Sequence, residues 1–155
     1  SVLGCNLGMF YKRRDYTRVV NGRNPIVAHE YLGDSVEGKT VFIADDIIAS
    51  GESMLEVASN LKARGAKRII ADATFPLFTS GLDKFDKAVE EGTLDYVVGT
   101  NLTYRKPELL NRDWYVDVDV SKYAAYFIVA LNHDMSVSSI IDPIKKIEAL
   151  LASRK

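Results

Sequence analysis

One cysteine, one tryptophan and two histidines in 155 residues are scarcities that set the first limits. Cys5 alone cannot close an internal disulfide, so it reads as a buried or spectator thiol, and the fold must hold without covalent staples. The two histidines, His29 and His133, leave no Cys/His zinc constellation and carry no motif, so both read as structural or exposed. Excess charge of one sign is also missing. Twenty basic residues against 21 acidic ones give a formal net charge of −1, which argues against a broad field for nucleic acid or a membrane surface. No apolar run reaches the roughly 18 residues of a membrane span, and the N-terminus lacks the charged-then-apolar form of a signal peptide. A reducing, cytoplasmic setting is the expectation. There is no internal repeat, no low-complexity linker and no composition break, so residues 1–155 read as a single domain.

What the sequence does contain is alternation. Strand-like segments stand at 7–12 (LGMFYK), 25–33, 40–44 (TVFIA), 68–75 (RIIADATF), 94–100 and 113–120. Between and after them, helical patterns fall at 52–66, 80–92, 107–112, 121–134 and 142–155. In the first helix Met54, Val57, Ala58 and Leu61 keep the spacing of one helix face, and Gly65 suits its C-terminal cap. Strands separated by single helices predict right-handed crossovers and an α/β fold, a mostly parallel sheet flanked by helices. The near-continuous apolar run at 40–44 predicts a strand covered on both faces.

At its end that strand meets two adjacent carboxylates, Asp45 and Asp46, followed by Ala49-Ser50-Gly51-Glu52-Ser53 and a helix start. Ligands of open α/β sheets bind at the carboxyl ends of the strands. Two neighbouring negative charges are costly unless a cation or hydroxyl donors satisfy them. The free N–H groups of a helix N-terminus suit a phosphate, with hydroxyls at Ser50 and Ser53 and a close backbone approach at Gly51. Vicinal hydroxyls at one end and a phosphate a short distance away describe a ribose 5-phosphate. The simpler reading is an ordinary strand-to-helix turn with solvated aspartates and a serine cap. A magnesium-binding acid pocket of the phospho-acceptor kind would want a third aspartate ending the next strand, and Asp72 lies inside that strand instead.

VFIADDIIASGES (41–53) resembles the phosphoribosyl pyrophosphate loop of type I phosphoribosyltransferases. MFYKRRDY (9–16) is similar to the KRR catalytic loop of ribose-phosphate pyrophosphokinases. The glycine-lysine approach at 38–39, ATFPLFTSG (73–81) and DVDVSKYAAYFIVALNHDMSVSSI (117–140) follow that family's order along the chain. The resemblance implies a type I phosphoribosyltransferase-like, Rossmann-like fold, here as the C-terminal half of a longer two-domain enzyme. It implies transfer of the β,γ-diphosphoryl group of ATP to the 1-hydroxyl of ribose 5-phosphate, with Mg2+. Lys12 and Arg14 match the basic loop residues, and their charges suit charge shifting between oxygens. Asp45 and Asp46 match the ribose-hydroxyl ligands, with magnesium nearby, and Ala49, Ser50, Gly51, Glu52 and Ser53 match the 5-phosphate wrap. Three departures stand out. Ala49 replaces an acid common in the family, Glu52 a small neutral residue, and Phe75 a histidine.

The chain begins Ser-Val-Leu-Gly, without an initiator methionine, and reads as a fragment expected to be catalytically incompetent alone. A non-catalytic regulatory homologue and a phosphoribosyltransferase using a nucleobase are the alternatives. The resemblance further implies a homo-oligomer, a hexamer built from dimers, with Phe10, Tyr11, Tyr123, Tyr126 and Phe127 as interface or core residues. The polar stretch 13–24 reads as a long, mobile loop.

Overall fold

The computed structural model describes residues 2–14, 17 and 26–153, with the backbone alone at 12–14 and 26–29. The chain forms two compact units, Ser1–Ser35 and Val36–Lys155.

In the first unit, β1 (Met9–Arg14) pairs antiparallel with β2 (Ile26–Leu32), from Met9 opposite Leu32 to Arg14 opposite Ile26. The register is irregular between Arg13 and Arg14. The basic triplet therefore belongs to a strand, two residues beyond the expected end at Lys12. Tyr31 organises the open end of this hairpin, next to the pair of Met9 and Leu32. Its ring meets Phe10 at 5.2 Å, and its hydroxyl donates to the Asp34 carbonyl at 3.1 Å. A Cβ on Gly8 would overlap the same ring, so Gly8 lets the strand run directly beneath it. Most of the loop expected to be mobile, residues 15, 16 and 18–24, lies outside the described residues.

The second unit is built on a four-stranded parallel sheet in the order β3 (Thr40–Ile48), β4 (Arg68–Pro76), β5 (Tyr96–Thr100), β6 (Tyr115–Val118). The crossovers carry α1 (Glu52–Ala63), α2 (Asp83–Glu90) and the one-turn α3 (Pro107–Leu110). After β6 come α4 (Ser121–Asn132), α5 (Ser138–Ile141) and α6 (Ile144–Ala152). The α/β class, the parallel order and the flanking helices all agree with the sequence reading. The short α5 had no counterpart in it.

One sheet face is dry. Ile69, Ala71, Ala73 and Val97 are fully buried, and small alanines let the helices approach closely. Met54, Ala58 and Leu61 of α1 and Phe85 and Ala88 of α2 supply the buried helix residues. α1 ends as its sequence predicts. Gly65 takes φ +85°, its N–H donates to Lys62 O at 2.9 Å, and the Ala66 N–H donates to Leu61 O at 3.1 Å. These two bonds are the paired closure of a Schellman motif.

The other face departs from expectation. β3 is the edge of this sheet, Phe42 is 59% exposed and Ala44 is exposed as well, so the 40–44 run is not covered on both sides. Of the aromatic residues read as core or interface, Phe10 and Phe127 are half-buried, whereas Tyr11, Tyr123 and Tyr126 are exposed.

Beneath the loops at the carboxyl ends of β4 and β5 sits an aromatic cluster. Phe78 meets Phe85 edge-on at 4.9 Å, and Phe85 stacks on Trp114 at 5.9 Å. Asp86 fastens its rim, accepting from Arg112 Nε and Nη2, each at 2.9 Å, and from Trp114 Nε1 at 2.7 Å.

Candidate functional site

The acidic pair lies within β3 rather than just past it. Asp45 is paired with Ala73, and the ladder continues through Ile47 and Ile48. Ile48, 1% exposed, anchors the strand end in the core. Its carbonyl accepts from the Leu77 and Phe78 N–H groups at 2.9 and 3.1 Å, and the Ala49 carbonyl accepts from Thr79 at 2.9 Å. The turn carrying the candidate residues is thus stitched to the loop after β4. Phe78 itself adopts a left-handed backbone at φ +46° to make that turn.

Gly51 is the N-cap of α1, with φ +77° and ψ −5°, and it is buried. Its carbonyl takes the first helical bond, from the Leu55 N–H at 2.9 Å. No side chain caps this helix, so neither Ser50 nor Ser53 acts as the serine cap of the simpler reading. Ser50 Oγ does stand 3.5 Å from the Glu52 N–H, the long limit of a hydrogen bond. Apart from that one long contact, the N-cap residue offers the first turn of α1 no side-chain acceptor, an arrangement suited to receiving an anion.

Asp45, Ala49, Ser50, Gly51 and Ser53, with Ile47, Ile48 and Met54, line a hollow of about 150 Å³. Asp46 and Glu52 do not line it. Successive strand residues point to opposite faces, which separates Asp46 from Asp45, and the Asp46 N–H donates to Asp45 Oδ1 at 2.8 Å. Glu52 turns to α2 instead, where Lys84 Nζ meets Glu52 Oε1 at 2.7 Å. Phe75 is 38% exposed, and Asp72 is half-buried within β4, where burial raises its pKa. Lys12 and Arg14 stand on β1, opposite His29 and Ile26, in the hairpin unit. His133 caps α4 at its C-terminus and is exposed.

Two supporting residues escaped the sequence reading. A Cβ on Gly51 would overlap the ring of fully buried Phe85, so α2 supports the turn from below, and its neighbour Lys84 grips Glu52 from the side. Helical spacing marks Phe85 as an inward residue, but it lies 34 positions from Gly51 and no local pattern pairs the two.

The match to a family model described as phosphoribosyl transferase domain extends over residues 1–122. The chain belongs to this family. Among curated relatives, the ribose-phosphate pyrophosphokinase of Thermotoga maritima is 31% identical over 89% of this chain and 40% of its own length. That of Shewanella oneidensis is 29% identical over 87% of this chain and 40% of its own. The chain spans about two-fifths of the length of these relatives. The crystal structure of phosphoribosylpyrophosphate synthetase from Mycobacterium smegmatis superposes with a TM-score of 0.59 at 22% identity, covering 69% of this chain and 34% of that one. That likeness concerns the fold. The resemblance to ribose-phosphate pyrophosphokinases and the type I phosphoribosyltransferase fold read from the motifs both hold.

Among the described residues, no group of three His, Cys, Asp or Glu side chains could hold a metal ion, and no helix is long and apolar enough to cross a membrane.

Proposed function

We propose that this chain carries the ribose 5-phosphate side of a ribose-phosphate diphosphokinase, the enzyme that converts ATP and ribose 5-phosphate to AMP and 5-phosphoribosyl 1-pyrophosphate. The observation that carries the reading is the hollow at 45–54. An uncapped helix N-terminus, a left-handed glycine and the Asp45 carboxylate line one cavity in a chain whose curated relatives are pyrophosphokinases. The 5-phosphate takes the N–H groups of the α1 first turn together with the Ser50 and Ser53 hydroxyls. Asp45 and Asp46 accept from the ribose 2- and 3-hydroxyls, with Asp45 the one of the two that lines the hollow.

In the reaction the 1-hydroxyl oxygen attacks the β-phosphorus of ATP, the bond from that phosphorus to the α-phosphate oxygen breaks, and AMP leaves. Such a transfer rests on positioning and charge stabilisation. Lys12 and Arg14 supply positive charge to the oxygens on which negative charge develops. Magnesium keeps several waters and is held by one or two carboxylates with substrate phosphates. The single carboxylate at the hollow, Asp45, therefore fits a Mg2+ shared with the substrate, not a cage built by protein alone. When bound, the ion neutralises phosphate charge. Diphosphoryl transfer then belongs to a two-domain assembly in a cytoplasmic homo-oligomer, and these 155 residues by themselves are expected to release no AMP from ATP and ribose 5-phosphate.

Calorimetric titration with ribose 5-phosphate, with and without magnesium, tests the reading. Binding by the wild-type chain that Asp45→Asn/Asp46→Asn abolishes is expected, and equal binding by that variant overturns the site. Nucleobase-dependent pyrophosphate release would favour the phosphoribosyltransferase alternative. Ala49 and Glu52, the two departures within the loop, are the features that favour a regulatory homologue, and AMP release by the full assembly decides against it.

A further inference from the structure

We infer that Lys84 is a positioning residue for the phosphate subsite: it draws the Glu52 carboxylate onto α2 and so keeps the first turn of α1 open to a phosphate dianion. The inference rests on the sugar-phosphate reading of the 45–54 hollow. Glu52 is the first residue of α1, immediately after the left-handed Gly51, and so stands in the turn whose N–H groups would receive the phosphate. A carboxylate there has two routes to harm. Its charge opposes an incoming dianion, and a helix N-terminus attracts it as it attracts any anion. Left to itself, it can occupy the site it borders.

The geometry removes both problems together. Lys84 Nζ lies 2.7 Å from Glu52 Oε1, so the carboxylate is held on α2 and its charge is matched by an ammonium group. Glu52 does not line the hollow, although the residues on either side of it, Gly51 and Ser53, do. The clamp has a rigid base. Lys84 immediately precedes Phe85, which is fully buried and packs where a Cβ on Gly51 would sit. One helical position thus supports the turn from below, and its neighbour neutralises the turn from the side. Both partners remain largely in water, with side chains 49% and 68% exposed, so the pair adds little to stability and its consequence lies in the local field.

The test is the affinity of the chain for ribose 5-phosphate and for inorganic phosphate in Lys84→Met, Lys84→Arg, Glu52→Gln and the double variant Lys84→Met/Glu52→Gln. Lys84→Met should weaken both ligands about five-fold at low salt, the order expected for removing one positive charge from beside a carboxylate and a dianion in a largely aqueous dielectric. Raising the salt concentration should erase most of that loss. Glu52→Gln should bind at least as tightly as wild type, the double variant should return to the Glu52→Gln level, and Lys84→Arg should keep wild-type affinity. That rescue separates positioning from contact. If Lys84 touched the phosphate itself, removing Glu52 would not restore binding, and a double variant as weak as Lys84→Met overturns the inference. Unchanged affinity in Lys84→Met overturns it as well, while leaving the sugar-phosphate reading intact. A folded wild-type chain that binds neither ligand overturns that reading and the inference with it.

Discussion

The ring of Phe85, on α2, occupies the space that a Cβ on Gly51 would need. Gly51 is therefore fixed twice, by φ +77° and by the aromatic ring beneath it. Gly51→Ala should destabilise the second unit by about 2–4 kcal/mol, combining the cost of overpacking a tight site with that of a left-handed backbone at a residue bearing a side chain. Urea unfolding followed by the Trp114 fluorescence measures it. A midpoint matching wild type would mean that the turn relaxes freely and that Phe85 does not fix the backbone at Gly51.

The carboxylate of Asp86 ties α2 to the segment before β6. Burial works against its charge, but the hydrogen bonds from Arg112 and Trp114 outweigh that and hold its pKa below the usual carboxylate range. A carboxylate whose pKa is lowered by folding adds stability above its unfolded value, near pH 4, and loses it as the pH falls through the folded value. Asp86→Asn should therefore cost about 1–2 kcal/mol at pH 7, discounted for the 37% exposure of the Arg112 side chain, and the difference from wild type should close toward pH 2. Denaturation midpoints of the two proteins at pH 7 and at pH 2 check the sign.

The burial of Tyr115 runs the other way. Its hydroxyl is buried without a hydrogen-bond partner among the described residues, and burial first, then the Asp117 carboxylate, push its pKa up to about 12. A buried hydroxyl with no partner costs free energy, so Tyr115→Phe should leave stability unchanged or raise it by about 1 kcal/mol. A loss above 1 kcal/mol in thermal unfolding would show that the hydroxyl has a partner, such as an ordered water.

Much of this architecture was legible because the signals are local. Helical spacing of Met54, Ala58 and Leu61 located α1, Gly65 marked its end, and the strand–helix alternation gave the parallel order. Errors arose where the deciding contact was distant. The strand was expected to stop before Asp45 because adjacent acids look like a terminus, yet backbone pairing with β4 carries it on to Ile48. An apolar run at 40–44 could not reveal that β3 is an edge strand with Phe42 exposed, since edge position is set by strand order and not by composition. The role of Glu52 was open for the same reason, because its partner Lys84 stands 32 residues away on another helix.

Asp72, in the sheet and not on a helix, offers a prediction of opposite sign to Asp86. It lies mid-strand in β4, between Ala44 of β3 and Val98 of β5, and its half-burial raises its pKa. A carboxyl group whose pKa rises on folding favours the folded state fully below its unfolded value, and that contribution is lost as the pH rises through the folded value. At pH 7 the ionised group is therefore a burden on the sheet. Asp72→Asn should stabilise the chain at pH 7 by up to about 1 kcal/mol, and the advantage should vanish below about pH 3, where both proteins carry a neutral side chain. Denaturant midpoints of the two proteins from pH 3 to pH 7 give the curve. A variant less stable than wild type at pH 7 would require a partner for the Asp72 carboxylate, and that result would make this carboxylate a candidate ligand on the sheet face where Phe42 stands exposed.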